Sequence, residues 1–551
     1  MPTHRTGAQR QISTPADGVT WEPDGVTWGP ARTLRRMGLG LAAAAILAPA
    51  TLAQGAVLPG STYDPAAYPN SLYTNELLID ASDNAWNRGL TGKGIDVAVI
   101  DTGVTPVEGL DKGNLIDGPD LSFDSQDPAR RHRDFYGHGT HLAGIIAAND
   151  APSAYPTDYA NHPERLTGIA PDSRIVNMKV GDSHGVVDVT QVIAALAWLT
   201  QHKNDPGLNI RVVVLAYGTD STQSYKSSPL AHAVEQAWKS GLVVVTSAGN
   251  RTKLSAGLDA PANDPFAIAV GASDTRNTFD VTDDNVPFFS SSARAGTTDR
   301  APDVVAPGVS IPSLRVPDSV LDKNWGWIAT VGTRYFKGTG TSQSAAVVGG
   351  VVALLLQQRP AMTPDQVKAL IKTNAVSLTG ETNSTQGAGR IDLDKMLDAP
   401  TPTANQSFAA STGGGSVDQS RGSMRPTLNG VAISGDVDIF GLQYSSLVMA
   451  KKIAGKTSWS GGNWNGSTWS GSTWSGSTWS GSTWSGSTWS GSTWSGSTWN
   501  GSSWSGSSWS GSSWSGAKYN KGPKLVARGK QKPLAGRARA LARTEWGSTW
   551  S

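Results

Sequence analysis

Three short segments carry side chains that could act together on a carbonyl group. Asp101 lies in the run Val97-Ala98-Val99-Ile100-Asp101-Thr102-Gly103, His138 opens His138-Gly139-Thr140-His141, and Ser342 closes Gly340-Thr341-Ser342. A serine hydroxyl is a poor nucleophile until an imidazole takes its proton; an acid then fixes the imidazole tautomer and steadies its charge. The chain order of acid, imidazole and hydroxyl carries information, because unrelated folds build this constellation in different orders. Singly, each residue has a commoner duty. An Asp at a strand end is usually a turn or capping residue, and a Ser after Gly-Thr is usually a loop hydroxyl. Their order and spacing together favour catalysis. His141, three residues beyond His138, is expected to be structural.

The elements around these residues must hold them still. Val97 to Ile100 is a short apolar run before a turn, which suits a buried central strand delivering Asp101 at its carboxyl end. Small and apolar residues from Leu142 to Ala148 suit a helix with His138 near its start. Ser342 to Leu356 is apolar nearly all round, as in a buried helix, and its first turn would set a backbone N–H and the positive dipole end beside Ser342. Strand patterns fall at Ile175 to Val180, Val212 to Ala216, Val243 to Ser247 and Phe266 to Val270, and helix patterns at Thr190 to His202 and Leu230 to Ser240. Thr363-Pro364-Asp365-Gln366 is a capping box with Pro at the first helical position, predicting a helix to about Asn374. This alternation predicts an α/β domain, a parallel sheet covered on both faces.

Four segments resemble the subtilisin-like serine proteases, over about Thr91 to Leu356. Thr91-Gly92-Lys93-Gly94-Ile95-Asp96 leads into the Asp101 segment, and His138-Gly139-Thr140-His141-Leu142-Ala143-Gly144 is similar to the family's His segment. Thr246-Ser247-Ala248-Gly249-Asn250 is similar to the segment ending in the oxyanion-hole Asn. Asp303-Val304-Val305-Ala306-Pro307-Gly308, then Gly340-Thr341-Ser342, resembles the approach to the nucleophile. The resemblance implies a three-layer subtilisin-like fold with a central, mostly parallel sheet, and a peptidase acting on protein or peptide substrates. It implies Asp101, His138 and Ser342 as the triad and Asn250 as an oxyanion donor. Ala216, Tyr217 and Gly218, with Ser247, Ala248 and Gly249, would line the substrate cleft, Tyr217 setting a bulky ring on one pocket wall. After Ser342 the chain departs from the family's usual Met-Ala, Ser or Thr, Pro-His-Val-Ala-Gly: it reads Gln343-Ser344-Ala345-Ala346-Val347-Val348-Gly349-Gly350.

With 551 residues the chain has room for one large domain and extensions. A net charge of +2 argues against nucleic acid as a partner. There is no cysteine, hence no disulfide framework. No cofactor is expected. Structural calcium is left open without an assignable site, because Ser122 to Pro128 offers only Asp124 and Asp127 and is read as a solvated loop. Arg32, Arg35 and Arg36 precede the apolar run Met37 to Ala53, a signal-peptide pattern with cleavage expected after Ala53; the arginine pair is compatible with either the general or the twin-arginine route. Only 47 residues separate Ala53 from Asp101, too few for a folding prodomain, so folding without one is expected.

The expected organisation is a leader and signal peptide (1–53), a short mature segment (54–90), the peptidase domain (91–398), a linker (399–456), a repeat (457–516) and a basic tail (517–551). The linker holds a candidate hairpin, Val431 to Ile433 against Val437 to Phe440. In the repeat, Trp recurs every five residues, twelve times from Trp459 to Trp514, in units such as Ser-Gly-Ser-Thr-Trp. So much Gly and Ser disfavours helix, and a flexible spacer is the simplest reading. Outward rings could instead stack on cell-wall glycan or on other chains. The tail has nine basic and no acidic residues from Lys518 to Arg543, suited to anionic polymer. Two functions thus remain: a secreted serine endopeptidase, or a surface-binding or self-associating protein acting through its Trp repeat.

Overall fold

The computed structural model describes residues 85–465, apart from 126, 151–158, 160–164, 255–256, 277, 279, 295–296, 298, 429–430 and 461–462, and a few very short strands beyond them. The leader, nearly all of the 54–90 segment, most of the Trp repeat and the basic tail lie outside the described residues.

Seven parallel strands form the central sheet: β1 (Asp96–Asp101), β2 (Leu115–Asp117), β3 (Arg174–Lys179), β4 (Ile210–Leu215), β5 (Val243–Ser247), β6 (Ile268–Ser273) and β7 (Val304–Pro307), in the order β2-β3-β1-β4-β5-β6-β7. Central strands are runs of Val, Ile and Ala because both their faces are covered. The helices α1 (His138–Ala147), α2 (Val189–His202), α3 (Pro229–Lys239), α4 (Val320–Ala329), α5 (Thr341–Gln358) and α6 (Pro364–Asn374) follow in chain order. Helix α5 packs on α1 and on β4 to β7, while α2 and α3 pack on each other. The architecture is a three-layer α/β fold. Glycines allow α5 to lie close: a Cβ on Gly349 would collide with Val214 of β4, and one on Gly350 would come 2.6 Å from Ile169.

Expected elements are present with bounds moved by at most three residues, and β5 has the expected ones. The capping box at Thr363 is formed, and a second one, Asp188 with Gln191, starts α2. Helix α4 has no counterpart among the expected elements; it sits inside a small antiparallel sheet of β8 (Ile311–Leu314), β9 (Thr330–Val331) and β10 (Tyr335–Gly338).

The stretch beyond residue 398 departs further from its expected role as a linker. It wraps back over α2 and α3. Arg421, 1% exposed, pairs with the α2 cap Asp188, its Nε 2.6 Å from Oδ2, and donates to the carbonyls of Gly435 and Val437. Helix α7 (Ser446–Ala454) packs on α3. Trp459 and Trp464, which open the pentad repeat, are buried. The indole of Trp459 donates to the Ala194 carbonyl of α2 at 3.0 Å, and Trp464 lies against Tyr444 and Trp459. The packed body therefore continues to Asn465, whose amide reaches the buried carboxylate of Asp438. The expected hairpin pairs differently: Thr427–Leu428 meets Val431–Ala432. Arg421 and the Trp459 indole hold this stretch in place, because each finds its partner more than two hundred residues away.

The stretch read as a solvated loop also differs. Leu121 to Ser125 is buried, and Asp124 faces the buried Lys179 ammonium at 3.4 Å. Burial pushes the Asp124 carboxyl up to about 6, against the pull of Lys179.

Candidate active site

β1 ends at Asp101, and β3, beside it, ends at Lys179 in register. Lys179 donates to the carbonyls of Thr102 and Gly181 at 2.7 and 2.8 Å, which clamps the turn after Asp101. His138 Nδ1 lies 2.8 Å from Asp101 Oδ1 and 3.0 Å from Oδ2, both side chains buried. With Nδ1–H donated to the carboxylate, Nε2 is the basic nitrogen of the ring.

Asp134 holds this pair from behind, and no sequence motif singles it out. Its carboxylate accepts from the backbone N–H of Gly137 (2.6 Å) and Thr140 (2.8 Å), so it serves the open N-terminus of α1. The Thr102 hydroxyl lies 2.8 Å from Asp134 and 3.1 Å from Asp101, and accepts from Gly139 N–H. Burial raises the Asp134 carboxyl, opposed by the two backbone bonds. Gly139 must be glycine here, because a Cβ would collide with the Gly103 carbonyl and lie 3.0 Å from Asp101. The available signal is an Asp four residues before a helix-starting His.

Ser342 is the second residue of α5 and is buried; its Oγ has no hydrogen-bond partner among the described residues. Asn250, just beyond β5, turns its Oδ1 toward α5, accepting from Thr341 N–H at 2.9 Å with the Thr341 hydroxyl 3.1 Å away. This fixes the amide and leaves Nδ2 without a partner among the described residues. Gly249, at φ +110, donates to the Thr341 hydroxyl. The α5 start and the Asn250 turn are thus one hydrogen-bonded unit. An aligned backbone N–H and a fixed, unspent amide donor can together stabilise an oxyanion.

His141 belongs to the scaffold. Its Nε2 faces the carbonyls of Ile311 (3.1 Å) and Phe336 (2.9 Å), tying α1 to β8 and β10. Burial, with His138 adding to it, depresses its pKa to about 4, so the ring is neutral at physiological pH. In the altered stretch after Ser342, the Ser344 hydroxyl donates to Ala306. The Gln343 side chain sits under Gly338 and Gly340, where neither glycine has room for a Cβ without displacing it.

Ala216, Tyr217 and Gly218 follow β4, while Ser247, Ala248 and Gly249 end or follow β5 next to it, so the structure brings the two expected cleft segments together. Tyr217 departs from its expected place. Its ring is 2% exposed within the main core, near Asp188 and Arg421, and burial raises its hydroxyl far above the usual range. Such a ring offers almost no surface to a pocket, and Arg421 of the C-terminal wrap lies near it. Among the described residues no group of three or more His, Asp or Glu could hold a metal ion, and no helix is long and apolar enough to cross a membrane.

Residues 92–389 match the subtilase family. The chain is 35% identical to the serine protease AprX of Bacillus subtilis over 311 residues, 56% of this chain and 67% of that protein. It is 32% identical to subtilisin Savinase of Lederbergia lenta over 310 residues, 56% of this chain and 93% of the relative. Among solved structures, it resembles fervidolysin from Fervidobacterium pennivorans, described as a keratinolytic enzyme related to subtilisin. That match has 30% identity, covers 60% of this chain and 47% of the other, and has a TM-score of 0.46.

Proposed function

Because the chain belongs to the subtilase family of serine endopeptidases, we propose that Ser342, His138, Asp101 and Asn250 carry out peptide hydrolysis in a secreted enzyme. Ser342 Oγ attacks the scissile carbonyl while His138 Nε2 takes its proton. The tetrahedral oxyanion is met by Asn250 Nδ2 and the Ser342 N–H. His138 then protonates the leaving amine, the acyl-enzyme forms, and water repeats the cycle in reverse. Asp101 holds the Nε2-basic tautomer and balances the imidazolium, while Asp134 and Thr102 keep Asp101 aimed.

One observation carries this reading: Asn250 spends its carbonyl on Thr341 and keeps its amide donor unspent at the start of the helix that carries Ser342. That amide is held by Thr341, the residue before Ser342, where a developing oxyanion would need a donor. In subtilisin, a member of the same family, loss of such a donor lowers turnover by roughly two to three orders of magnitude, and an effect of that size is expected for Asn250→Ala. Secretion rests on the basic-then-apolar leader. The alternative, a binding protein working through its Trp repeat, gains no support from Trp459 and Trp464, whose rings are buried and not displayed.

The test is labelling of the secreted chain by a fluorophosphonate, together with casein hydrolysis. Ser342→Ala is expected to abolish both. A folded wild-type chain that neither labels nor cleaves would overturn the proposal.

A further inference from the structure

Helix α4 is anchored on three sides. Ser319 caps it, Arg315 grips Asp322 through two hydrogen bonds of 2.6 and 2.8 Å, and Leu321 and Trp325 pack against Phe336 and Tyr136. Its first turn is joined to the segment that delivers the imidazole: Val320 N–H donates to Phe135 O and Leu321 N–H to Tyr136 O, each at 3.0 Å. Gly137, next to His138, lies so close that a Cβ would stand 2.6 Å from Ser319 Oγ. On this fixed helix Trp327 is 79% exposed and Ile328 47%, with Phe135 also exposed at the junction. Single exposed apolar residues are ordinary. Two adjacent large ones on a pinned helix joined to the reactive imidazole are a binding surface in search of an occupant.

The side of the cleft identifies that occupant. The segments expected to hold the acyl half of a substrate lie at the ends of β4 and β5. Helix α4 and the β8–β10 sheet lie with α1 instead. The imidazole protonates the leaving amine, so the leaving half of the polypeptide starts at His138. Trp327 stands six residues along α4 from Leu321, about 9 Å at the helical rise, a distance that an extended peptide covers in about three residues.

We propose that α4 is a substrate exosite, in which Trp327 and Ile328 receive an apolar side chain about three residues past the scissile bond, while Phe135 flanks the start of the helix nearer His138. This rests on the serine-peptidase reading and adds a preference to it: unfolded polypeptides with aliphatic or aromatic residues on the leaving side. The contact forms on binding and persists through attack, so it acts on KM more than on kcat.

The test uses the full chain and two internally quenched peptides with the same acyl half, one with Leu and one with Ser at the third leaving-side position. The wild type is expected to prefer the Leu peptide about tenfold in kcat/KM, and a Trp327→Ser, Ile328→Ser double variant with unchanged melting temperature is expected to bring that ratio near one. Absence of a wild-type preference, or an equal fall on both peptides, would overturn the exosite. So would a wild-type dimer that the double variant converts to monomer, since the face would then bind a second copy. A chain ending at Asn465 that cleaves both peptides severalfold faster, an advantage abolished in the double variant, would give the surface to the chain's own Trp repeat. Failure of the wild type to cleave either peptide or to label with fluorophosphonate would overturn the peptidase reading itself.

Discussion

Two buried carboxylates sit at opposite ends of the same kind of interaction and do opposite things. Asp101 holds His138, and around them capacity is left over: Ser342 Oγ and Asn250 Nδ2 have no partner among the described residues. Asp188 holds Arg421, and there the bonds are used. The Arg421 guanidinium reaches Asp188 and the carbonyls of Gly435 and Val437, while Asp188 also caps α2 through Thr190 N–H. The contrast separates a site from a joint. Unspent hydrogen-bonding capacity in a buried setting costs stability, and the proposed catalysis would use it at Ser342 and Asn250. Spent capacity fastens distant chain segments, and Asp188 is held below the usual carboxylate range by Arg421 in spite of its burial.

Truncation should break the comparison most severely. A chain ending at Asp398 strips Tyr444, Met449, Ile453, Trp459 and Trp464 from the core they share with α2 and α3. At about 1.5–3 kcal/mol per large side chain the loss is on the order of 10 kcal/mol, comparable with a whole domain's stability. That chain is expected not to accumulate as folded protein, whereas one ending at Asn465 keeps its cleavage rate. Soluble yield and circular-dichroism melting decide between them.

The two carboxylate pairs can then be separated. Asp101→Asn, measured by kcat on a short peptide, is expected to lose activity about ten-thousandfold with little change in melting temperature. Arg421→Leu leaves Asp188 buried without its cation and is expected to cost about 3–5 kcal/mol in urea unfolding, with catalysis per folded molecule retained. A loss of kcat in Arg421→Leu matching that of Asp101→Asn would erase the distinction between site and joint.

A smaller effect concerns pH. His141 has its pKa near 4 in the folded protein and about 6.5 when unfolded, so between those values the unfolded chain binds the extra proton. Its contribution to stability is complete above pH 6.5 and is lost as pH falls toward 4, by roughly 3 kcal/mol over the window. His141→Gln keeps a donor for the Ile311 and Phe336 carbonyls without titrating. In an inactive Ser342→Ala background, the acid slope of stability should flatten with His141→Gln; an unchanged slope would assign it to other groups.

The sequence is most legible where cause and effect are close together in the chain. Val97 to Ile100 is a buried strand because four consecutive apolar residues leave no polar face. Thr363 to Gln366 starts a helix because cap, proline and reciprocal glutamine lie within four residues. The motif order Asp101, His138, Asn250, Ser342 is legible as well: β1 ends at Asp101, which His138 meets, and Asn250 follows β5 and meets Thr341, the residue before Ser342. What tertiary structure alone decided lies across long separations. Tyr217 reads as a pocket wall until the fold buries it near Asp188 and Arg421, and Trp459 reads as tail until its indole finds Ala194. Asp134 stands in no motif, and its role appears only when α1 presents its N-terminus. In each case the deciding partner is a backbone carbonyl, a backbone N–H or a lone charge, a group that leaves no local pattern. Local sequence sets which segments become strands and helices, because propensity and apolar periodicity act over a few residues. Which buried polar group is satisfied, and which is left for a substrate, depends on where the whole chain places its remaining donors and acceptors.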